Sequence, residues 1–338
     1  MSGLFLFSMN LESYKNSIKS TLSFKEKEEL ALWAFYYQAE HIDCYKQFLH
    51  YLKINPKQIK KIKDIPLLPI QFFKHHIIID GEANNATQIF ESSGTTGSTK
   101  SYHYVRDITL YENQFLIDFE KEYGPIGDYA LLALLPSYME RPGSSLLYMA
   151  AELIRRTDNA ASGFYASADE NFLFHLHQAM QSSPKVMVLG VSFALLDWAE
   201  KHPIPLGKTI LMETGGMKGR RTEWVRDALH EKLKKSFGVP RIHSEYGMTE
   251  LLSQSYAREN GFFNPGNNLI IRIMDPLQPL ENMNIGRKGV LGIIDLANIH
   301  SCCFIQTQDL GTLHKNGLFT VDGRLDYSDL RGCNLLVS

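Results

Sequence analysis

Tyr129-Ala-Leu-Leu-Ala-Leu-Leu-Pro136 is an apolar run without a single charge. Its length is that of a strand. Its lack of polar alternation suits a strand buried on both faces, in a sheet covered by helices on either side. The residues that follow fit the same arrangement. Ser144 to Arg156, Asp169 to Met180, Ala194 to Lys201 and Thr222 to Phe237 read as helices, and Lys185 to Gly190, Thr209 to Met212 and Arg241 to Ser244 read as strands. Alternation of this kind predicts an α/β fold with a mainly parallel sheet. From Leu269 onward the pattern changes to short strands, Ile270 to Met274, Val290 to Leu296, Phe304 to Thr307 and Phe319 to Val321, separated by Gly, Asn and Pro turns. That portion is expected to be an antiparallel or barrel-like β subdomain.

Upstream, Leu30, Trp33, Ala34, Tyr37, Ile42, Tyr45, Phe48 and Leu49 recur mostly at steps of three and four, which predicts one long amphipathic helix over Phe24 to Leu52. Ile77 to Ile79 reads as a buried strand. His75 and His76, as neighbours in an extended segment, point to opposite faces and do not make a shared metal site. Thr109 and Glu112 form a capping box for a helix to about Tyr123, which Gly124-Pro125 ends. The chain shows no repeat, no low-complexity tract and no interdomain linker. Its 338 residues are expected to form a single large domain: a helical segment over 1–65, α/β sheets over 66–265, the β subdomain over 266–322 and a tail over 323–338.

A hydrophobic fraction of 44% with 21% charged residues is that of a globular chain with a large core. The formal net charge of -2 offers no basic excess for nucleic acid. Met1 to Ser8 lacks a signal peptide's basic start and cleavage site, and no uncharged run is long enough to cross a bilayer, so a cytoplasmic protein without an integral membrane segment is expected. Cys44, Cys302, Cys303 and Cys333 form no C-x-x-C pair, which argues against a zinc site or a disulfide framework.

Phe90 to Lys100 reads Phe-Glu-Ser-Ser-Gly-Thr-Thr-Gly-Ser-Thr-Lys. Backbone N–H groups, hydroxyls and a lysine in one short loop can converge on an anion, polyphosphate above all, although such clusters also mark ordinary surface loops. It is not the G-x-x-x-x-G-K-[ST] loop, because Thr99 stands where that pattern has glycine. The stretch resembles the [ST]-S-G-[ST]-T-G-x-x-K loop of adenylate-forming enzymes, the superfamily of acyl-CoA synthetases, luciferases and adenylation domains. The resemblance implies that Ser92, Ser93, Gly94, Thr95, Thr96, Gly97 and Lys100 bind the β and γ phosphates of ATP while a carboxylic acid attacks the α phosphate. It also implies the family's large amino-terminal-type domain, with mainly parallel sheets covered by helices and a barrel-like β subdomain.

Four further stretches are similar to that family, in the family's order. Met212-Glu-Thr-Gly-Gly-Met217 corresponds to the adenine wall at Gly215 and Gly216; a tight turn after a strand is the alternative. Glu245-Tyr-Gly-Met-Thr-Glu250 resembles Y-G-x-T-E. The resemblance puts Tyr246 and Gly247 against adenine, the Thr249 hydroxyl on the α phosphate and Glu250 on Mg²⁺. Thr307-Gln-Asp-Leu-Gly311 resembles T-G-D-L-G, with Asp309 accepting from both ribose hydroxyls and Gln308 replacing the usual glycine. Gly323-Arg-Leu-Asp-Tyr-Ser-Asp-Leu-Arg-Gly332 resembles the hinge before the family's small carboxy-terminal domain, with Arg324 pairing with ribose or phosphate oxygens.

With the sequence ending at Ser338, the small domain's lysine is expected to have no counterpart; then another residue supplies its charge, adenylation is weak, or a partner contributes, with Lys218, Arg220 and Arg221 as local candidates or as ordinary solvent-facing cations. Together with Pro-Ile-Gln-Phe-Phe-Lys ahead of the loop and Arg-Gly-Cys near the end, the chain looks similar to LuxE-type acyl-protein synthetases. That likeness implies activation of a fatty acid, transfer of the acyl group to Cys333 and delivery to an acyl reductase or acyl-carrier partner. As an acceptor, Cys333 is expected to have its thiol pKa lowered by Arg331 two residues before it, while the other reading of Cys333 is a small buried hydrophobe, as for Cys302 and Cys303. A ligase using coenzyme A as acceptor and a non-catalytic nucleotide-binding protein are the alternatives.

Overall fold

Short polar side chains start the first helices of the computed structural model, which describes residues 9–92, 99–136, 143–215 and 224–325. Asn10 accepts the Ser13 N–H at the head of α1 (Leu11–Ser17), and Ser23 with Glu26 closes a capping box at the head of α2 (Phe24–His41). The single helix expected from Phe24 to Leu52 is two helices. Ile42 is extended (φ −104°, ψ 100°) and fully buried, and α3 (Asp43–Tyr51) starts after it. The break lets both helices address one core: Phe35 of α2 and Tyr45 of α3 lie with ring centroids 6.0 and 5.8 Å from Phe304.

After β1 (Leu68–Pro69), Ile77 to Ile79 does not form the expected strand. Ile77 is 55% exposed, and the segment is held by separate bonds, from Ser301 Oγ to the Ile78 carbonyl and from the Asp80 N–H to His300 O. Next, β2 (Gln88–Glu91) and β3 (Tyr102–Val105) pair antiparallel as a two-stranded ribbon that carries the Ser/Thr/Gly loop at its tip. The cap of α4 (Ile108–Tyr123) is Asp107, two residues before the Thr109 of the expected Thr109–Glu112 box. Its carboxylate accepts the Thr109 N–H (3.2 Å) and hydroxyl (2.6 Å), and Glu112 accepts from the Tyr148 hydroxyl instead. Gly124 ends this helix at φ +83°, where a side chain would be strained.

The apolar run is β4 (Tyr129–Leu134), buried at every position. Then α5 (Ser145–Thr157), β5 (Gly163–Tyr165), α6 (Glu170–Ser182), β6 (Lys185–Val191), α7 (Ser192–Lys201), β7 (Ile210–Thr214), α8 (Arg226–Phe237) and β8 (His243–Tyr246) alternate, as expected except for β5, a short strand that the sequence reading did not include. Strands β5, β4, β6, β7 and β8 are parallel neighbours in that order. Several bounds differ from expectation by one or two residues, β7 reaching Thr214 and β8 running from His243 to Tyr246, and α8 starts four residues later than expected, at Arg226.

Beyond β8 the pairing turns antiparallel. Strands β9 (Ser255–Ala257), β10 (Phe263–Asn264), β11 (Leu269–Met274), β12 (Lys288–Asp295), β13 (Phe304–Leu313) and β14 (Phe319–Arg324) continue the same hydrogen-bonded path in the order β8-β9-β10-β14-β13-β12-β11. The carboxyl end of β8 therefore lies where parallel pairing changes to antiparallel. No described helix is long and apolar enough to cross a membrane.

Candidate active site

Strand alternation sorts the side chains of β7 between two environments. Glu213 faces α8. Burial alone pushes its carboxyl up, but His230 (3.5 Å), Arg226 (3.4 Å) and Ser244 outweigh burial and hold it below the usual glutamate range. Thr214, one residue on, faces the other side and donates its hydroxyl to the Glu245 carboxylate on β8. Gly215 follows at φ +63°, its carbonyl accepting from Ser192 Oγ at 2.6 Å. Gly216 lies outside the described residues, as do Lys218, Arg220 and Arg221.

Glu245 is fully enclosed. Burial, aided by the Glu213 charge and opposed by the Thr214 hydroxyl, pushes its carboxyl from 4.5 up to about 7. The folded protein thus holds a proton here that the unfolded chain gives up. The associated stability is full below about pH 4.5 and is lost as pH rises through about 7, amounting to about 3 kcal/mol at roughly 1.4 kcal/mol per pH unit. Glu245→Gln, neutral at every pH, is expected to flatten the decline in stability between those limits, as urea titrations at a series of pH values will show.

Tyr246, at the end of β8, donates its hydroxyl to Asp309 Oδ2 at 2.8 Å. Asp309 on β13 pairs in register with Arg324 on β14, and the Arg324 Nε lies 3.3 Å from Asp309 Oδ1. Three residues drawn from three separate motifs therefore meet at one point. A Cβ at Gly247 would lie 2.0 Å from Gln254 Oε1 and 2.7 Å from Glu245 Oε1, so both side-chain ends would have to shift to admit one.

Glu250 closes the following turn and is buried. Ser101 Oγ donates to its carboxylate; burial pushes the carboxyl up, and the Ser101 bond offsets only part of this. Ser101 sits at the base of the Ser/Thr/Gly loop, where Ser92 and Ser101 exchange two bonds, Ser92 N to Ser101 O (3.0 Å) and Ser101 N to Ser92 Oγ (2.9 Å). The Ser101–Glu250 contact thus joins the loop to the turn that carries Thr249 and Glu250. Lys100 pairs with Glu91 at 2.9 Å across half-exposed surface. Ser93, Gly94, Thr95, Thr96, Gly97 and Cys333 lie outside the described residues.

Sequence reasoning missed Ser101, His103, Asp295 and Asn298. The His103 ring, which burial pushes down to about 4, reaches the Thr249 carbonyl (2.8 Å) and Asn298 Oδ1 (2.9 Å). Asp295 accepts from the N–H groups of Leu252 (2.7 Å) and Ser253 (3.1 Å) and from Ser253 Oγ (2.6 Å), fixing the chain just after Glu250. Among the described residues no three His, Cys, Asp or Glu side chains gather as a metal-binding group. A single buried carboxylate at Glu250 fits Mg²⁺, which is held by one or two carboxylates together with substrate phosphates. Cys302 and Cys303 are fully buried, and burial raises both thiols far above the reactive range.

No family model matches the sequence, and no curated protein matches it. Solved structures do. 2-Hydroxyisobutyryl-CoA ligase, in an open conformation with 2-HIB-AMP and CoA, superposes with a TM-score of 0.67 over 91% of this chain and 72% of the ligase, at 14% identity. The fold is that of the amino-terminal domain of adenylate-forming enzymes. ATP-bound MatB from Rhodopseudomonas palustris shares this adenylate-forming fold with a TM-score of 0.54 and 16% identity, over 73% of this chain and 49% of MatB. The chain spans about half the length of the MatB structures.

Proposed function

We propose that the protein is an ATP-dependent acyl-activating enzyme, joining a carboxylic acid to AMP with release of pyrophosphate and then passing the acyl group to a thiol. The observation that carries this reading is the Ser101–Glu250 contact, which joins the base of the Ser/Thr/Gly loop to the turn of the Tyr-Gly-Met-Thr-Glu motif, at the end of the strand whose Tyr246 meets Asp309 and Arg324. In this reading the acid's carboxylate attacks the α phosphate and pyrophosphate departs. Asp309, acceptor-only when ionised, takes the ribose hydroxyls, and Tyr246 and Gly215 flank adenine. Thr249 donates to the α phosphate, and Ser92 to Gly97 with Lys100 hold the departing phosphates. Bound Mg²⁺ supplies charge to the phosphate oxygens, with Glu250 as its protein ligand. The domain limits given above belong to the same proposal.

Lys100 must leave Glu91 to reach a phosphate. An exposed pair of this kind is worth up to about 1 kcal/mol, so Glu91→Gln is expected to lower the KM for ATP by up to about fivefold with kcat unchanged. A rise in KM would show that Glu91 helps ATP bind.

The proposed acid is fatty or otherwise apolar. Two acceptors are in view. In the acyl-protein synthetase reading, the Cys333 thiolate attacks the acyl carbonyl and AMP leaves, and a reductase or carrier partner then takes the acyl group. The coenzyme A reading is favoured by the CoA in the 2-hydroxyisobutyryl-CoA ligase structures. Intact mass after incubation with acid and ATP separates them. An adduct lost in Cys333→Ser supports the protein acceptor, whereas product formed only with coenzyme A, and unaffected by that substitution, supports the other.

A further inference from the structure

We infer that His103 is a positioning residue for the Thr249–Glu250 turn, spanning from the ribbon that carries the Ser/Thr/Gly loop to the backbone of that turn. His103 is completely buried, and its Nδ1 lies 2.8 Å from the Thr249 carbonyl, its Nε2 2.9 Å from Asn298 Oδ1. Asn298, packed against the ring, donates its Nδ2–H to the Glu250 carbonyl at 2.8 Å, and the single N–H of the neutral ring goes from Nδ1 to the Thr249 carbonyl. The carbonyls of two consecutive residues are therefore held, one by His103 and one by Asn298. The Glu250 carboxylate is held as well, by Ser101.

Ser101 and His103 flank Tyr102 at the period of two that places side chains on one face, so one edge of the ribbon grips this turn at two points and Asn298 adds a third. The turn has no regular secondary structure of its own beyond the Leu251 N–H to Met248 O bond at 3.1 Å. Its geometry is thus set from outside. Phe73 packs edge-on against the ring at 5.7 Å and leaves it little room to turn. His103 touches neither the phosphates nor the acid in the proposed reaction. It acts by fixing Thr249 and Glu250, and the turnover part of this inference rests on that reaction.

The test compares His103→Asn with His103→Gln. The asparagine amide takes the place of Nδ1 and keeps a donor toward Thr249; the glutamine amide takes the place of Nε2 and reaches Asn298 only. In steady-state pyrophosphate exchange, His103→Gln is expected to lower kcat by about 10- to 100-fold with KM for ATP within about threefold, because a displacement of this size misplaces groups that act in the transition state. His103→Asn is expected to recover most of kcat. Hydrogen exchange by mass spectrometry gives an arm that needs no turnover: amides of residues 247–253 should lose protection in His103→Gln and keep it in His103→Asn. Should the histidine variants not fold, Asn298→Ala is expected to show the same loss of kcat and of local protection. Equal losses in the two histidine variants, a KM effect without a kcat effect, or unchanged protection over 247–253 would overturn the inference. Absence of exchange in the unsubstituted protein, with the protection pattern as expected, would instead count against the proposed reaction and leave the brace standing.

Discussion

Glu250→Gln is expected to lower acid-dependent pyrophosphate exchange by at least about 100-fold, the scale on which removal of one electrostatic contact to a developing charge is felt. Glutamine keeps the volume and an oxygen that can accept from Ser101, so the Ser101–Glu250 contact is expected to survive while the charge proposed to hold Mg²⁺ does not. Stability should move the other way. Burial disfavours the charged carboxylate in the folded protein, so the neutral variant is expected to melt at the same temperature or slightly higher. Loss of exchange with an unchanged or raised Tm marks Glu250 as a functional group. Loss of both would make it a structural one.

The second large effect is on folding. Asp295→Ala removes an acceptor serving the N–H groups of Leu252, Ser253 and Ala297 and the Ser253 hydroxyl, and leaves those buried donors without their partner. Unsatisfied buried polar groups cost about 1–3 kcal/mol each, with part recovered by relaxation, so a loss of about 3–5 kcal/mol is expected. In urea titration this appears as a lower midpoint at an unchanged slope. A change below about 1 kcal/mol would mean that the turn after Glu250 does not depend on Asp295.

Much of the parallel half was legible because its strands are buried on both faces. An apolar run such as Tyr129 to Leu134 admits few other placements, and β6 and β7 announce themselves in the same way. The break at Ile42 was not legible, since the apolar spacing runs through it without interruption, and only the demand that Phe35 and Tyr45 both reach Phe304 bends the chain there. At α4, Asp107 and Thr109 both have capping side chains two residues apart, and spacing alone does not choose between them. β8 lies later than expected because buried polar residues, Glu245 paired with Thr214, extend it where hydropathy falls.

The candidate site divides along the same line. Tyr246, Asp309 and Arg324 lie in motifs and do converge. His103 and Asn298 carry no local signal: the contacts that give them meaning reach across 146 and 195 residues of chain. Side chains that hold other side chains in place are chosen by tertiary geometry, and no periodicity marks them.

The most direct measurement is exchange of labelled pyrophosphate into ATP by the unsubstituted protein, in the presence of Mg²⁺ and a panel of carboxylic acids from short to long and from linear to aromatic. Exchange that requires one or more of these acids, and disappears in Glu250→Gln, is the predicted result. ATP binding with no exchange for any acid on the panel would contradict the proposed activity.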